Sequence, residues 1–374
     1  MKIVVNTQCL IKNKLEGLGI FSFETLKRIT CQHPEHQFVF VFDREWDSKF
    51  IFSDNIKPVI LFPPSRHPFL WHLRFDHLFP FLLSKHKADL FLSTDGWMPI
   101  HTKVKSVNVI HDINFESYPK DLPFWYRNYY RFYFPRFAKK ATRLATVSEY
   151  SKSDIAKKYN IPLNKIDVVY NGCSEDFFSI PEIEQEKVRK KYSQNCPYYV
   201  FVGSLHPRKN LANLFKAFDL FKYQQLSNIK LLIVGEKRWW TEEINQIFEN
   251  MLFKNDIVFT GRVDTADLNK IIASAMAMTY VSYFEGFGIP IIEAFNCGTP
   301  LITSNVTSMP EIAGDAALFI DPFSPDSIVD AMKKIFNNQA LRENLIEKGN
   351  LRKDFFNWEK SANLLWKCIE KAVE

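Results

Sequence analysis

The amino-acid sequence predicts an α/β protein built from two Rossmann-like, doubly wound domains that face a cleft. Its 374 residues are enough for two domains of ordinary size. With 46% hydrophobic and 24% charged residues, the chain has the make-up of a globular protein, which excludes wholesale disorder. Short β-branched or aromatic runs alternate with longer segments of helical spacing, a pattern typical of parallel sheets covered by helices on both faces.

The strand-like runs form a group of seven followed by a group of six, which suggests two sheets. The first group is Lys2–Thr7, Gln37–Asp43, Val59–Phe62, Asp89–Thr94, Ser106–His111, Leu144–Val147 and Ile166–Tyr170, and the second is Tyr198–Gly203, Ile229–Val234, Ile257–Thr260, Ala277–Ser282, Leu301–Ser304 and Ala317–Ile320. The polar stretch Asn171–Pro197 is the expected boundary. We therefore predict domains at residues 1–178 and 179–356, and a terminal helix at 357–374 that returns to the N-terminal domain. The natural active site of such a pair is the cleft, at the carboxyl ends of the strands.

Charge and cysteine content exclude several classes of protein. The 48 lysines and arginines exceed the 42 acidic residues only slightly, too little for a dedicated nucleic-acid-binding protein, although the excess suits an anionic substrate or membrane surface. The six cysteines lack CxxC pairing, so neither a zinc site nor a disulfide framework is predicted. That usage fits a reducing cytoplasm, where we expect the protein. No apolar run reaches the roughly 18 residues of a membrane span, and the apolar start is too short for a signal peptide.

The first candidate site is the basic turn from Val202 to Asn210. A predicted strand ends at Gly203, and a helix is expected after Asn210, a residue type favoured at helix N-caps. Arg208 and Lys209 therefore lie just ahead of a helix N-terminus, where the helix dipole disfavours cations. A bound phosphate would reverse the sign of that interaction, because it would meet amide groups, the dipole and both charges. A solvated basic turn without a ligand is the alternative interpretation.

The second candidate site is the glycine-rich loop that follows the predicted strand Ala277–Ser282. Glu285 is expected at the carboxyl end of this strand and Glu293 about one turn into the next helix, so both carboxylates could face one crevice. Pro290 suits the first position of that helix, and Gly298 suits its C-terminal cap. Carboxylates beside a backbone-exposing loop suit a polyhydroxyl ligand, since they accept hydrogen bonds from sugar or ribose hydroxyls. A capped helix with an ordinary surface glutamate is the alternative.

These motifs resemble those of retaining GT-B glycosyltransferases, in particular the GT4-type group, also called glycosyl transferases group 1. The resemblance rests on the Glu285-x7-Glu293 spacing and on the shared order of shorter segments over nearly the whole chain. These segments are Lys2–Leu10 with Glu16–Phe21, Val109–Asp112, Thr146–Ser151, Val168–Gly172, Pro207–Asn210, Phe259–Val263, Met309–Ala317 and Phe356–Glu359.

The resemblance implies a role for each matching residue in a nucleotide-sugar site. Arg208 and Lys209, after the strand-end Gly203, would hold the donor diphosphate. Ser204 departs from the pattern, because many relatives carry a basic residue there. Either Arg208 compensates for the missing charge, or the phosphates are held less tightly.

The other matching residues are assigned to the nucleoside, the donor sugar and the acceptor. Glu293 would bind the ribose hydroxyls, and Glu285 would bind the sugar hydroxyls. The remaining donor-binding set is Gly261, Arg262 and Val263 around the base, with Gly286 and the amides of Phe287 and Gly288 at the sugar. His111 would approach the sugar from the opposite domain, although by itself it is also a simple strand-end residue. The loop Gly17–Gly19 would close over the diphosphate or the acceptor.

The expected mechanism follows from the charge of the leaving group. Breaking the anomeric C–O bond leaves a diphosphate, which preplaced cations and amides can stabilise. No Asp-x-Asp motif occurs in the chain, so we predict metal-independent catalysis by Arg208, Lys209 and helix N-termini, with Glu285 and His111 completing the catalytic set and no cofactor besides the co-substrate. The resemblance implies retention of anomeric configuration. A front-face reaction and a role for Glu285 as nucleophile both stay open.

The donor and acceptor are suggested by the resemblance alone. The segment Gly203–Asn210 resembles that of some mannosyltransferases, so GDP-mannose is the favoured donor. The acceptor is then a saccharide or lipid-linked saccharide in surface polysaccharide synthesis. The alternatives are a sugar-nucleotide 2-epimerase on the same scaffold and a non-catalytic nucleotide-binding homologue. A nicotinamide dehydrogenase is disfavoured, because no Gly-x-Gly-x-x-Gly follows a predicted strand.

Two further segments, Phe124–Lys140 and Pro68–Phe75, interleave aromatic residues with cations. The favoured interpretation is a helix with an aromatic core face and a basic solvent face. The same pattern suits a membrane interface near a lipid-linked acceptor, so peripheral contact with the inner face of the plasma membrane stays open. Stacking on nucleic-acid bases is not expected.

Overall fold

The computed structural model describes residues 1–12, 14–64, 67–237 and 239–374. The chain folds into two compact units, one formed by Met1–Asn171 with Trp358–Glu374 and the other by Gly172–Asn357. Each unit is built around a parallel β-sheet whose strands alternate with helices along the chain. The predicted class, two Rossmann-like α/β domains, is therefore confirmed.

The described residues of the first unit form seven strands, β1 (Lys2–Asn6), β2 (Gln37–Phe42), β3 (Ile56–Ile60), β4 (Leu90–Ser93), β5 (Lys105–Val109), β6 (Arg143–Thr146) and β7 (Ile166–Val168). They form one parallel sheet in the order β3-β2-β1-β4-β5-β6-β7. Val5 of β1 pairs with Phe40 on one side and with Leu92 on the other, and all three side chains are fully buried. The central strands β1, β2 and β4 are mostly apolar because both faces of the sheet are covered.

The third strand differs from its predicted bounds, Val59–Phe62. It starts at Ile56, which is buried and pairs with Phe38, and it ends at Ile60. Phe62, by contrast, is 74% exposed and lies beyond the strand. The apolar run alone does not locate this strand, because the run continues past the end of β3 to the exposed Phe62.

The helices of the first unit are α1 (Gly17–Gln32), α2 (Pro68–His72), α3 (Phe79–His86), α4 (Asn114–Ser117), α5 (Phe124–Lys140) and α6 (Glu149–Tyr159), with a π-helical turn, Leu73–Leu78, between α2 and α3. The α5 helix buries Tyr129, Phe134 and Phe137 in the core, as its pattern predicts. Its outward side, however, is not simply basic, because Trp125 is 70% exposed and Phe132 is 51% exposed.

The second unit contains six strands, β8 (Tyr198–Val202), β9 (Lys230–Val234), β10 (Ile257–Gly261), β11 (Ala277–Tyr280), β12 (Leu301–Ser304) and β13 (Leu318–Ile320), in the order β10-β9-β8-β11-β12-β13. Its helices are α7 (Glu182–Ser193), α8 (Leu211–Gln225), α9 (Glu242–Glu249), α10 (Thr265–Ala273), α11 (Ile289–Asn296), α12 (Met309–Ala313), α13 (Pro325–Asn337) and α14 (Gln339–Arg352). The strand order reverses between β8 and β11. In an open α/β sheet, ligands bind outside the carboxyl ends of the strands at such a switch point.

The C-terminal helix α15 (Trp358–Val373) packs against α1 and against β5 and β6 of the first unit. Trp366 stacks on His33 with ring centroids 3.6 Å apart, and the Ser361 hydroxyl donates to the Tyr170 carbonyl at 2.5 Å. These contacts make α15 a part of the first unit. Within the described ranges, no helix is both long and apolar enough to cross a lipid bilayer.

Candidate functional site

The switch point of the second unit begins at Gly203, directly after β8. Its φ of +145° lies in a region that side-chain-bearing residues rarely adopt. The Lys209 side chain lies over the bare Cα, and a β-carbon added to Gly203 would be 3.6 Å from Lys209 Cε. The backbone at the end of β8 is therefore packed directly against the second cation of the basic turn.

Within the basic turn, the residues Pro207–Lys209 form a single 3₁₀ turn, and α8 follows at the predicted place. Asn210 occupies the predicted N-cap position of α8, with φ +63°, but its side chain does not cap the helix. Its amide instead donates to the carbonyls of Val281, at 2.9 Å, and Pro322, at 2.7 Å. The side chain is used to fasten the basic turn to the loops after β11 and β13, which are its neighbours in space and not in sequence.

Both cations of the turn converge on Glu285. Arg208 Nη1 lies 2.7 Å from Glu285 Oε2, and Lys209 Nζ lies 2.7 Å from Glu285 Oε1. Arg208 also donates to the Phe284 carbonyl at 3.0 Å, and Lys209 donates to the Tyr280 hydroxyl at 2.9 Å. The structure therefore brings together three of the four predicted catalytic residues. It joins them in an ion-paired cluster, which sequence reasoning did not foresee.

Two members of this cluster are almost completely removed from water, whereas Arg208 is half-buried. Lys209 is 7% exposed and Glu285 is 6% exposed. Burial by itself would raise the pKa of Glu285, but the charges of Arg208 and Lys209 outweigh that effect and hold the pKa at about 2. The carboxylate is therefore ionised at any physiological pH. Two cations facing one carboxylate leave a positive charge in excess, so the cluster can accept an anion.

Glu293 is half-buried on α11, beyond the glycine loop. Burial raises its pKa to about 7, although the Lys209 charge opposes the shift. Burial raises the pKa of the Tyr280 hydroxyl, and the charges of Glu285 and Glu293 raise it further. Glu285 and Glu293 are thus electrostatically linked to Lys209 and Tyr280, but they are in different protonation states near neutral pH.

The loop after Glu285 is held by residues that sequence reasoning missed. The Ser308 hydroxyl donates to the carbonyls of Glu285, at 2.9 Å, and Phe287, at 3.0 Å. The Thr307 hydroxyl accepts the Glu285 amide at 3.3 Å. Gly286 and Phe287 are buried in this loop. A serine and a threonine that follow β12 carry no recognisable motif, and only the adjacency of β11 and β12 in the sheet reveals their role.

The helix after the loop largely follows its predicted signals. Gly288 precedes α11 with φ +102°, and a β-carbon there would lie 3.0 Å from Ile291 Cδ1. Pro290 is the second residue of α11, whereas the prediction placed it at the first position. Gly298 has φ +67° just after the helix, so the predicted C-terminal cap is confirmed.

The predicted base-lining segment Gly261–Val263 lies at the end of β10 in the same unit. Gly261 has φ +70° and open space where a side chain would be, Arg262 is exposed and Val263 is half-buried. Gly235, at the end of β9, was missed. Its amide donates to the Gly261 carbonyl at 3.0 Å, and a β-carbon on it would lie 1.9 Å from the Gly203 carbonyl oxygen. A glycine directly after each of two neighbouring strands was the signal that could have found it.

His111, Gly17 and Gly19 lie in the first unit. The predicted glycine loop is wrong, because Gly17 and Gly19 form the first turn of α1. A β-carbon on Gly19 would lie 2.9 Å from the Cys9 carbonyl oxygen, so glycine is required for α1 to pack against the loop after β1. His111 Nε2 lies 2.9 Å from the Thr94 carbonyl and must donate to it, and its ring meets the edge of Phe21 at 4.8 Å. Burial lowers the pKa of His111 to about 4, so the imidazole is neutral.

The carboxyl edge of the first sheet also holds a buried polar cluster that no motif indicated. Asp95, after β4, is 7% exposed and accepts hydrogen bonds from Asn6 Nδ2 at 2.8 Å, Gln8 Nε2 at 2.9 Å and the Ser93 hydroxyl at 2.9 Å. Burial raises the pKa of Asp95 despite these bonds. Within the described ranges, no group of three His, Cys, Asp or Glu side chains is arranged to hold a metal ion.

Two family profiles match the chain, one to each part. The profile for glycosyl transferases group 1 matches residues 182–352, and the profile for Glycosyltransferase Family 4 matches residues 33–177. The chain is similar to the O-antigen chain mannosyltransferase B of Escherichia coli, at 29% identity over 96% of this chain and 97% of that protein. It is also 29% identical to the O-antigen chain mannosyltransferase RfbU of Salmonella typhimurium, over 67% of each chain.

Solved structures share the fold at low sequence identity. The sucrose-phosphate synthase of Thermosynechococcus elongatus superposes with a TM-score of 0.79 at 16% identity, covering 99% of this chain and 98% of the other. HepE of Anabaena, solved with UDP and glucose, superposes with a TM-score of 0.75 at 15% identity, covering 99% of each chain. With both family profiles, the ordered motifs and the fold in agreement, the chain belongs to the GT4-type glycosyltransferases and has the GT-B fold.

Proposed function

We propose that this glycosyltransferase transfers a mannosyl group from GDP-mannose to a saccharide or lipid-linked saccharide in the synthesis of a surface polysaccharide. The observation that carries the proposed donor site is the convergence of Arg208 and Lys209 on the buried Glu285 at the switch point. The mannosyl group is suggested by the two relatives named as O-antigen mannosyltransferases. A nucleotide-sugar donor is supported by HepE, which was solved with UDP-glucose in the same fold.

In the proposed donor complex, Arg208 and Lys209 hold the diphosphate. Their side chains are already fixed by Glu285, Tyr280 and the Phe284 carbonyl, so little reorganisation accompanies binding. The phosphates bind beside Glu285, which stays paired with both cations. The remaining lone pairs of Glu285 accept hydrogen bonds from the hydroxyls of the donor sugar, and Glu293 accepts hydrogen bonds from the ribose.

The two cations also stabilise the charge that develops on the leaving diphosphate. Preplaced donors in a water-poor site act strongly on such charge, because little solvent screens them. We therefore propose that turnover requires no divalent metal. Transfer that persists in excess EDTA supports this part of the proposal, whereas strict dependence on magnesium or manganese would overturn it.

Thermal-shift screening of nucleoside diphosphates tests the donor assignment. A ligand that binds only the folded state raises the melting temperature, so GDP and GDP-mannose are expected to raise it for the wild type but not for Arg208→Ala/Lys209→Ala. Incubation of GDP-mannose with and without a saccharide acceptor then separates the activities. Acceptor-dependent release of GDP supports a transferase, and GDP release without acceptor, with an epimerised sugar, points to the epimerase.

We further propose that α5 brings the first unit to an anionic membrane surface. The outward side of the helix carries Trp125 and Phe132, and the Arg136 guanidinium lies 3.5 Å from the Phe132 ring centroid. The exposed Lys139 and Lys140 follow on the same helix, and the segment Phe124–Lys140 contains no acidic residue. Exposed aromatic rings among cations are suited to insertion at the level of anionic headgroups.

Vesicle sedimentation tests this surface with the full chain. We expect binding to vesicles containing phosphatidylglycerol, little binding to pure phosphatidylcholine, and loss of binding in Trp125→Ala/Phe132→Ala. The matched control is Phe323→Ala/Phe355→Ala, two rings that are 60% and 62% exposed in the other unit. Equal losses in both double variants, or equal binding to both kinds of vesicle, would rule out the α5 surface.

A further inference from the structure

The loop that follows β9 contains two adjacent tryptophans, Trp239 and Trp240, to which the proposed donor site assigns no role. The loop starts at Gly235, whose backbone touches the Gly203 carbonyl on one side and bonds the Gly261 carbonyl on the other. The sheet order places β9 between β8 and β10. The loop therefore leaves the sheet between the basic turn, proposed for the phosphates, and the segment proposed for the base.

Trp240 has a structural role in this loop. Its ring packs against the core of the second unit and meets the edges of Phe248 and Phe259 at 5.8 and 5.7 Å. The Lys237 ammonium lies over the same group, 4.7 Å from the Trp240 centroid and 3.9 Å from that of Phe259. Trp240 is thus partly buried against its own neighbours, which accounts for its place in the loop.

Trp239 differs from its neighbour, because it is 38% exposed and lies outside that core. Its ring makes an edge contact with His206, at 5.2 Å and an interplanar angle of 62°. His206 in turn accepts the Arg208 amide through Nδ1 at 3.3 Å. The indole is therefore fastened at one side to the turn that carries the cations, while much of its surface faces solvent.

His206 is suited to hold the indole without adding charge. Burial, with the nearby Arg208 and Lys209 charges, lowers the pKa of its imidazole to about 4. The ring is neutral at physiological pH and acts as an aromatic support for Trp239. An exposed indole supported by His206 beside the proposed phosphate-binding turn is suited to stack on a flat, conjugated ring of a bound nucleotide.

We infer that Trp239 is a donor-binding residue that stacks on the nucleobase and favours a purine. This inference rests on the proposed nucleotide-sugar donor. It identifies the nucleobase as the part of the donor that a side chain of the second unit contacts. A purine presents two fused rings to the indole, whereas a pyrimidine presents one, so the larger overlap favours GDP or ADP over UDP. Stacking is indifferent to the sugar beyond the diphosphate.

Calorimetric titration of the full chain with GDP, UDP and inorganic pyrophosphate tests the inference. Trp239→Ala is expected to weaken GDP binding about tenfold, which lies within the range measured for base–aromatic stacking. UDP should weaken less, and pyrophosphate should bind as it does to the wild type. Trp239→Phe should keep most of the GDP affinity. Trp46→Ala is the matched control, since Trp46 is 37% exposed but lies in the first unit.

The outcomes separate the two levels of the proposal. GDP affinity that is unchanged in Trp239→Ala, with a normal melting temperature, overturns the stacking inference alone. Equal weakening of GDP and pyrophosphate shows that Trp239 only positions the basic turn through His206, and this too overturns it. Absence of binding of GDP, UDP and ADP to the wild type overturns the proposed donor itself.

Discussion

The carboxyl edges of the two sheets are topologically equivalent but chemically opposite. In the second unit the switch point between β8 and β11 is charged, with Arg208 and Lys209 paired to the ionised Glu285. In the first unit the order reverses between β1 and β4, and there Asp95 is surrounded by neutral donors. The nearby His111 imidazole is neutral as well.

This difference shows that the fold determines where a site lies, whereas the side chains determine its chemistry. A parallel α/β sheet opens a crevice at its switch point whatever residues follow the strands. An edge with excess positive charge suits a diphosphate, whereas an edge of amides, hydroxyls and a neutral imidazole suits a ligand that offers hydroxyl groups. The division agrees with a donor held by the second unit and a saccharide acceptor recognised by the first.

The largest effect should come from removing Lys209. Lys209→Met is expected to abolish donor binding and to lower the free energy of unfolding by about 3–5 kcal/mol, because it leaves the buried Glu285 only partly compensated. Adding Glu285→Gln should restore most of that stability but none of the activity. Denaturant unfolding and GDP titration of the single and double variants measure both. A single variant as stable as the wild type would contradict the buried ion cluster.

A smaller effect is expected from the pH dependence of Glu293. Its pKa of about 7 in the folded protein lies above that of an unfolded glutamate. Raising the pH from 6 to 8 ionises the carboxylate, so affinity for GDP should rise several-fold as it becomes a stronger acceptor for ribose hydroxyls. His111 and His206 do not interfere, since both have pKa values of about 4.

The same titration affects stability with the opposite sign. Between the unfolded and folded pKa values the folded state binds more protons, so the stability contributed by Glu293 is lost as the pH rises through about 7. Glu293→Gln should remove both dependences. An affinity profile that stays identical in Glu293→Gln would show that this carboxylate does not bind the ribose.

The smallest effect is expected at the first unit's edge. Asp95→Asn keeps the shape of the side chain but weakens its hydrogen bonds with Asn6, Gln8 and Ser93, and should cost about 1–2 kcal/mol of stability. GDP affinity should stay within twofold of the wild type, while the KM for the acceptor rises. A tenfold loss of GDP affinity would show that the two edges do not divide the substrates as proposed.

Much of the fold could be read from the sequence because strands and helices carry local signals. Seven and then six apolar runs correspond to the seven-stranded and six-stranded sheets. The exception, β3, shows the limit of such signals, since its aromatic continuation at Phe62 is exposed. The glycine turn at Gly17–Gly19 was misread as a loop because glycine signals both flexible loops and close backbone packing.

The site was readable only in part. The motif residues Arg208, Lys209, Glu285 and Glu293 could be named from their spacing along the chain, and their order identifies the family. Their pairing could not be predicted, because the ion pairs join the loops that follow two different strands. Which loops are neighbours depends on the sheet order, which short-range patterns do not encode. The contributions of Tyr280, Thr307 and Ser308 carry no signal in the sequence, because each acts through a neighbour far away along the chain.

Residue types and their periodicity were enough to establish the α/β class, the strand count and the chemistry of the basic turn, because these depend on interactions between residues near in sequence. The protonation states and the partners of those residues depended on folding. Glu285 and Glu293 have the same intrinsic acidity, but burial beside different charges brings their pKa values to about 2 and about 7. Burial of His111 lowers the pKa of its imidazole to about 4.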